Sequence, residues 1–547
     1  MQDTWKINYF SDRFFLFALF AILVILAGLL RFYHLGDWSH GFDENYTPIE
    51  TLYFFEGHPI PSHLFKDQQS DPAQSQFARL PAMIVAAYFV HWVDYRLFGV
   101  DEFGSRFLMA VMGSFCVGII FLLGYSLFGL SGSLILAFLV LLFPDHILHS
   151  QNNRFYSQAF LCISVVLLLG GHIAVKRSVT AAIGIGLVSI LMVLTHSLAG
   201  LIWGFVILGV VFSFLCQRCF KIHRAEQVSA ASQSGCSGAK PIAHTGIGIL
   251  TGKIEQENIP KNNILLLTIL GIWSILLLVI AVVYIFPLAR LWNNFPTTTV
   301  SPIHALLGLA FSLGWSLSML CIPGWLFALY NCKKTNCGYW LIVTTLCGLA
   351  VFLLPFKISY LVHYRFLFSF PFLVILALFI DWVGGLIIRS EVPYKRSLCC
   401  VWIIFTLFSN IPSIASYYQD GNRYDWRAAY QYIREHWQQG DQVICFPLDA
   451  NRYIPELEPK IPIRERGQAA LQKIIDQKID KNQNGKRRTW IPIVRNRYEP
   501  DEDTLYWLYN HTEYKTRFGK KRYDFEINHI ELFLYHDQPR PLTNVPN

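Results

Sequence analysis

The chain predicts a helical integral membrane protein with a small α/β domain at its C-terminal end. Three observations predict it. Of the 547 residues, 53% are hydrophobic and only 15% charged, and the mean hydropathy is +0.37; a soluble fold could not cover that much apolar surface. Uncharged runs long enough to cross a bilayer core as helices recur from Phe14 onward. From Tyr418 to Asn547 those runs stop, and helix-type and strand-type patterns alternate instead.

The first run, Phe14 to Leu30 (FFLFALFAILVILAGLL), is read as a retained span, since no small-residue cleavage site follows it. Further spans are expected near 106–127, 131–148, 157–175, 179–198, 200–216, 263–287, 303–330, 338–356, 366–388 and 398–416, giving about eleven transmembrane helices. The segment 81–98 is interrupted by His91, Asp94 and Arg96. Charge bias decides its reading. If it lies along the outer surface as an amphipathic helix, then Lys176-Arg177, Arg218, Lys221, Arg224, Lys333-Lys334, Arg389, Lys395 and Arg396 all fall on the cytoplasmic side. If it spans, all of them move outside. The net charge of +8 is therefore read as membrane topology, with no nucleic-acid partner.

The expected organisation is a transmembrane catalytic domain over 1–417 and a soluble extracytoplasmic α/β domain over 418–547. Within the first lie an extracytoplasmic loop (33–105) and a flexible, Ser/Gly/Ala-rich cytoplasmic loop (217–262). The tail reads as helix 425–437, strand Gln442–Phe446, helix Gln468–Gln477, strand Trp490–Val494, helix Thr504–Tyr509 and strand Ile530–Tyr535. Of twelve cysteines only Cys445 lies in the tail, so no disulfide is expected there. Cys216, Cys219, Cys332 and Cys337 offer four thiolates on the cytoplasmic side, a set that zinc could use; reduced cysteines filling space are the preferred reading.

Chemistry gathers at the outer ends of the spans. Asp43-Glu44 stand in an aromatic loop (GDWSHGFDENY) about a dozen positions after the first run. A carboxylate partly desolvated beside aromatic rings gains basicity and suits the removal of a proton from an attacking hydroxyl or amine; the plainer reading is a solvated acidic loop. Asp145, His146, His149, Arg154 and Tyr156 crowd the segment joining two spans. Such polarity is costly at membrane depth unless it lines an aqueous cavity, or merely caps helix ends. His146 and His149 could share a metal with Asp43, although the ligand count is low. Lys357, His363 and Arg365 break the charge bias by lying outside, as do Arg79 and Arg106; they would hold an anionic ligand such as a phosphate, or snorkel to headgroups.

At these residues the chain resembles the GT-C superfamily of polyprenyl-phosphate-sugar glycosyltransferases, which includes protein O-mannosyltransferases and lipid A aminoarabinose transferases. Asp43-Glu44 resemble its acidic motif after the first span. PAMIVAAYFVHWVDYRLFGVDEFGSRFLMAVMGS resembles its surface helix, Phe-Gly turn and the Arg opening the second span. HSQNNRFYS resembles the second-loop motif, and HYRFLFSFPFL the late helix start. The resemblance covers roughly residues 10–180 and 355–380 and the opening of the tail. Two positions depart from it: Tyr156 stands where many relatives carry an acidic residue, and Leu108 where many carry Pro. Tyr at neutral pH does not replace a carboxylate as metal ligand, so a divalent cation is unsupported and no cofactor is called for.

The resemblance implies an inverting glycosyltransferase of a bacterial inner membrane, with its active site outside the cytoplasm. The partners would be a polyprenyl-phosphate sugar donor, membrane lipid, and a protein, lipid or glycan acceptor. Asp43 would be the base and Glu44 would orient substrate. Arg154, Arg365, Arg79 and Lys357 would bind the donor phosphate. His149, Tyr156, His363, Arg106 and Asp145 would contact substrate. The alternatives are a transporter or flippase of an anionic lipid-linked substrate, which predicts mid-membrane charges and two similar halves, and a non-catalytic scaffold presenting the tail.

Overall fold

The computed structural model describes residues 9–40, 42–59, 84–196, 199, 202–216, 265–280, 310, 313, 315–331, 338–353, 367, 369–388, 393–420, 425–445, 447–462, 488–495, 502–518 and 529–536. Within them the chain groups into two compact units. One comprises residues 1–31, 110–150 and 155–411; the other comprises 32–109, 151–154 and 412–547.

The first unit is helical. Its helices include most of Tyr9–Phe32, most of Phe107–Leu141, Pro144–Ser150, Tyr156–Lys176 and Val179–Val193, then Trp315–Asn331, Gly338–Leu353, Phe370–Ile388 and Pro393–Phe408. Shorter apolar helices cover Ile202–Cys216 and Leu265–Ile280. Helices thus lie on every segment expected to span. Four of the described helices are long and apolar enough to cross a membrane: Arg13–Phe32, Gly104–Leu141, Tyr156–Lys176 and Cys400–Gln419. This is an integral membrane protein.

The two expected spans 106–127 and 131–148 meet at Gly129, which takes φ +82° inside the run Phe107–Leu141 and breaks the helix there. Only glycine adopts that conformation without strain. The unit's core is aliphatic and aromatic, with Trp340, Phe121, Phe143 and Phe160 fully buried. By contrast Phe14, Phe17, Ile25 and Leu29 on the first helix are exposed, as expected of side chains facing lipid rather than water.

The second unit joins the segment after the first helix to the tail. Its sheet has strands β1 (Gln442–Cys445), β2 (Lys460–Pro462), β3 (Arg488–Arg495), β4 (Glu513–Phe518) and β5 (His529–His536), in the order β2-β1-β3-β5-β4. β1 pairs in parallel with β2 and β3, and β5 pairs antiparallel with β3 and β4. Helix Trp426–His436 buries Trp426, Ala429, Tyr430 and Ile433 on one sheet face, and helix Glu502–His511 packs on the other through Leu505, Trp507 and Leu508. Asp425 caps the former by accepting the Ala428 N–H. The expected helix Gln468–Gln477 lies outside the described residues. Three elements of the tail escaped the sequence reading: helix Pro447–Tyr453, β2 and β4. β2 is too short to show alternation, and β4 (EYKTRF) is half-exposed with charges on both faces.

The surface helix Val85–Phe98 has an inverted amphipathicity. Its buried face carries Tyr88, His91, Asp94 and Tyr95, while Phe89, Leu97 and Phe98 are exposed. Arg96 is exposed beside these apolar side chains, an outward side of rings, aliphatics and one cation that suits a helix at a lipid interface.

Candidate functional site

In the second unit the acidic motif does not lie in a loop: Phe42–Glu56 is a helix, and position 43 falls in its first turn. Acidic residues there oppose the helix dipole favourably. The side chain of Asp43 lies outside the described structure. Glu44, 2% exposed, is clamped. Its Oε1 accepts the Arg106 Nε–H at 3.0 Å and the Asn153 backbone N–H at 2.6 Å, and its Oε2 accepts from Arg106 Nη2 at 3.0 Å. Pro48 inside this helix has no N–H to give the carbonyl of Glu44, four residues earlier. The Asn153 side-chain amide donates to that carbonyl instead, at 3.2 Å. The irregularity thus becomes an attachment point for the second-loop motif.

Arg106 closes the short turn Gly104–Arg106 and is fully buried. Besides Glu44, its Nη1 donates to the carbonyls of Leu35 and Trp38, at 3.1 and 2.8 Å, and its Nη2 to that of Ser39 at 3.1 Å. All five guanidinium donors are thereby taken. In this geometry Arg106 fastens the loop after the first helix to Glu44. Gly104 belongs to the same device, since a Cβ there would lie 2.0 Å from the Phe98 carbonyl oxygen.

Arg154 reaches the same helix one turn on, where its Nη1 donates to Thr47 Oγ1 at 2.9 Å. The surface helix closes around this arrangement. Tyr95 donates to the Asn153 side-chain oxygen at 2.8 Å, and Tyr88 to Glu50 Oε2 at 2.5 Å. Burial pushes both phenols well above their usual range, so both stay donors. Buried His91 is pushed down to about 3, first by desolvation and then by the charge of Arg154, and is neutral. Asp94 accepts the Leu108 N–H at 3.2 Å and is raised to about 7 by burial.

The first unit carries Asp145, His146, His149 and Tyr156. Arg31, fully buried in the last turn of the first helix, donates to the Ala27 carbonyl at 3.1 Å and meets His146 Nδ1 at 2.5 Å. Because guanidinium can only donate, Nδ1 must be the accepting nitrogen, and the ring proton sits on Nε2. Phe160 and Phe370 flank the imidazole at 4.6 and 5.8 Å. His149 meets Tyr156 edge-on at 4.8 Å, and Asp145 is buried in the same short helix, Pro144–Ser150. Arg79, Lys357, His363 and Arg365 lie outside the described residues. Among those described, no three His, Cys, Asp or Glu come together as a metal set. Sequence reasoning missed Arg31, Thr47 and Asn153 as partners.

No family model and no curated protein sequence matches the chain. Solved structures do. The apo oligosaccharyltransferase of Archaeoglobus fulgidus aligns at TM-score 0.50 and 12% identity, over 94% of this chain and 76% of that one. ArnT of Cupriavidus metallidurans bound to undecaprenyl phosphate aligns at TM-score 0.46 and 14% identity, over 94% and 97%. The archaeal oligosaccharyltransferase AglB in complex with an inhibitory peptide and a dolichol-phosphate aligns at 0.48 and 12%, over 94% and 75%. The fold is therefore like that of the archaeal oligosaccharyltransferase. At such identities the likeness speaks of fold alone.

Proposed function

We propose that this protein is an integral-membrane glycosyltransferase that moves a sugar from a polyprenyl-phosphate donor to an acceptor outside the cytoplasm. One observation carries the reading: the backbone of position 43 opens a helix clamped at Glu44 by Arg106, and Arg154 docks one turn further on, at Thr47. A carboxylate and a cation are thus assigned to successive turns of one fixed helix.

Asp43 removes the proton from the acceptor hydroxyl or amine as that atom attacks the anomeric carbon. The bond from that carbon to the phosphate oxygen breaks, its electron pair leaves with polyprenyl phosphate, and the proton ends on Asp43. Arg154, with Arg365, Arg79 and Lys357, neutralises the departing phosphate. A single displacement inverts the anomeric centre. His149, Tyr156, His363 and Asp145 contact the substrates. The transmembrane helices lie in a bacterial inner membrane, with the tail domain outside the cytoplasm.

Mass spectrometry of glycans and lipid-linked sugars from cells with and without the gene tests this. One sugar-modified product should vanish and its lipid-linked donor accumulate. Complementation with Asp43→Asn should leave the product reduced about 10²–10⁴-fold, the usual contribution of a general base. Unchanged glycans and donors on deletion would end the reading.

A further inference from the structure

The second unit holds a cleft of about 680 Å³ that the transfer reading does not use. That size falls within the ~300–1,000 Å³ of small-molecule sites. Arg427, Gln431 and Arg434 line it from one side, at helical spacing along Trp426–His436; Asp101, Glu102 and Arg452 complete it.

Its polar groups are partly spent. Glu102 takes Arg427 Nη2 at 3.0 Å, the Tyr453 hydroxyl at 3.0 Å and Arg452 Nε at 3.7 Å, all on Oε1; Oε2 carries none of these. Asp101 uses Oδ1 for the Gly104 N–H at 2.7 Å. Arg452 gives Nη2 to the Val100 carbonyl at 2.8 Å, and Arg434 gives Nε to Glu456 at 2.6 Å and Nη2 to the Tyr453 carbonyl at 2.5 Å. Gln431 gives its amide N–H to Glu435 at 2.9 Å, keeping its carbonyl oxygen. The lining sets three guanidiniums against the carboxylates of Asp101 and Glu102, and Glu456, outside the lining, pairs with Arg434, so little net charge is left. It offers interleaved spare donors (Arg452 and Arg434 Nη1, Arg427 Nε) and spare acceptors.

An anion would meet two carboxylates here, and a cation three guanidiniums. A hydroxyl both donates and accepts, so a ligand bearing several of them satisfies both sets at once. We propose that this cleft binds a carbohydrate, a short saccharide held between Asp101, Glu102 and Gln431 on the accepting side and Arg427, Arg434 and Arg452 on the donating side. As a subsite for the glycan of an acceptor it rests on the transfer reading; the binding itself does not, and the test reads binding alone.

Full-length protein, purified in a detergent without a sugar headgroup, is applied to a glycan array. The strongest ligand is then titrated, with inorganic phosphate and spermidine as charged comparators. Gln431→Trp fills the cleft from an exposed position without breaking an ion pair, and Arg452→Gln removes a donor. Each should weaken saccharide binding about tenfold or more, roughly 1.4 kcal/mol, with the melting temperature of Gln431→Trp unchanged. Overturning results are no saccharide bound, binding undiminished in Gln431→Trp, or displacement by phosphate or spermidine. A protein that binds saccharide but transfers none would leave the cleft standing and the transfer reading fallen.

Discussion

Glu44 and Arg106 form a two-pronged ion pair, Nε to Oε1 and Nη2 to Oε2 each at 3.0 Å, with both side chains shut off from solvent. Sixty-two positions separate them, so the pair ties the start of the acidic helix to the start of the second long helix. Breaking a buried pair by removing one partner costs about 3–5 kcal/mol, because the other charge is left unpaired. The two partners are unequal here. Arg106→Met strands Glu44 and three carbonyls; Glu44→Gln keeps shape and strands less. Melting in detergent should therefore show Arg106→Met the less stable, with the double variant losing less than the sum. Equal effects, or full additivity, would mean the pair does not hold the helix.

Topology comes next, and the structure supplies better probes than the sequence could. His58 is exposed after the acidic helix, and Lys176 is exposed at the far end of Tyr156–Lys176. In a cysteine-free background, needed because Cys400 is exposed, His58→Cys should react with an impermeant thiol reagent from outside. Lys176→Cys should react only after permeabilisation. Reversed labelling would turn Asp43 and Arg154 to the cytoplasm.

What could be read in advance follows from which interactions are local. Apolar runs of bilayer length show directly, because lipid imposes one composition on every exposed turn; hence the Phe14–Leu30 run matches a helix. The strands around Val443, Trp490 and Leu532 show because their side chains are buried on both faces. The helix at 42–56 did not show. Gly41, Asp43, Asn45 and Pro48 each read as loop formers, and only Asn153, more than a hundred residues away, repairs the carbonyl that Pro48 leaves open. For the same reason Arg106 displays a charge in sequence but not a partner. Helix spacing places Asp43 in line with Thr47; nothing local places Arg154 beside it.

The surface helix predicts a pH signature. Asp94 titrates near 7 in the fold because burial opposes its charge, against about 4 unfolded. Its contribution to stability is full below pH 4 and lost as pH rises through 7. His91, lowered to about 3 by burial and then Arg154, works oppositely: its contribution is full above 6.5 and lost as pH falls through 3. Between about 4 and 6.5 the two trends offset each other in the wild type. Asp94→Asn removes one of them, so its stability relative to wild type should climb by up to about 4 kcal/mol from pH 4 to 7. Melting curves across that range would show it; a constant difference would mean Asp94 ionises as freely in the fold as outside it.

Arg154 separates phosphate binding from scaffolding. Its Nη1 bond to Thr47 could exist only to brace the acidic helix. In that case Thr47→Val and Arg154→Lys should cost stability alike and leave the donor KM unchanged. If the guanidinium instead contacts the donor phosphate as well, the planar fork matters and an ammonium cannot replace it. Arg154→Lys should then raise the donor KM about tenfold, of the order of one charge-assisted hydrogen bond, while Thr47→Val moves it little. Arg365→Lys provides the parallel measurement. Transfer rate against donor concentration for these variants decides between them: a normal donor KM in Arg154→Lys with a raised one in Arg365→Lys would shift the phosphate site to Arg365 and leave Arg154 as a brace.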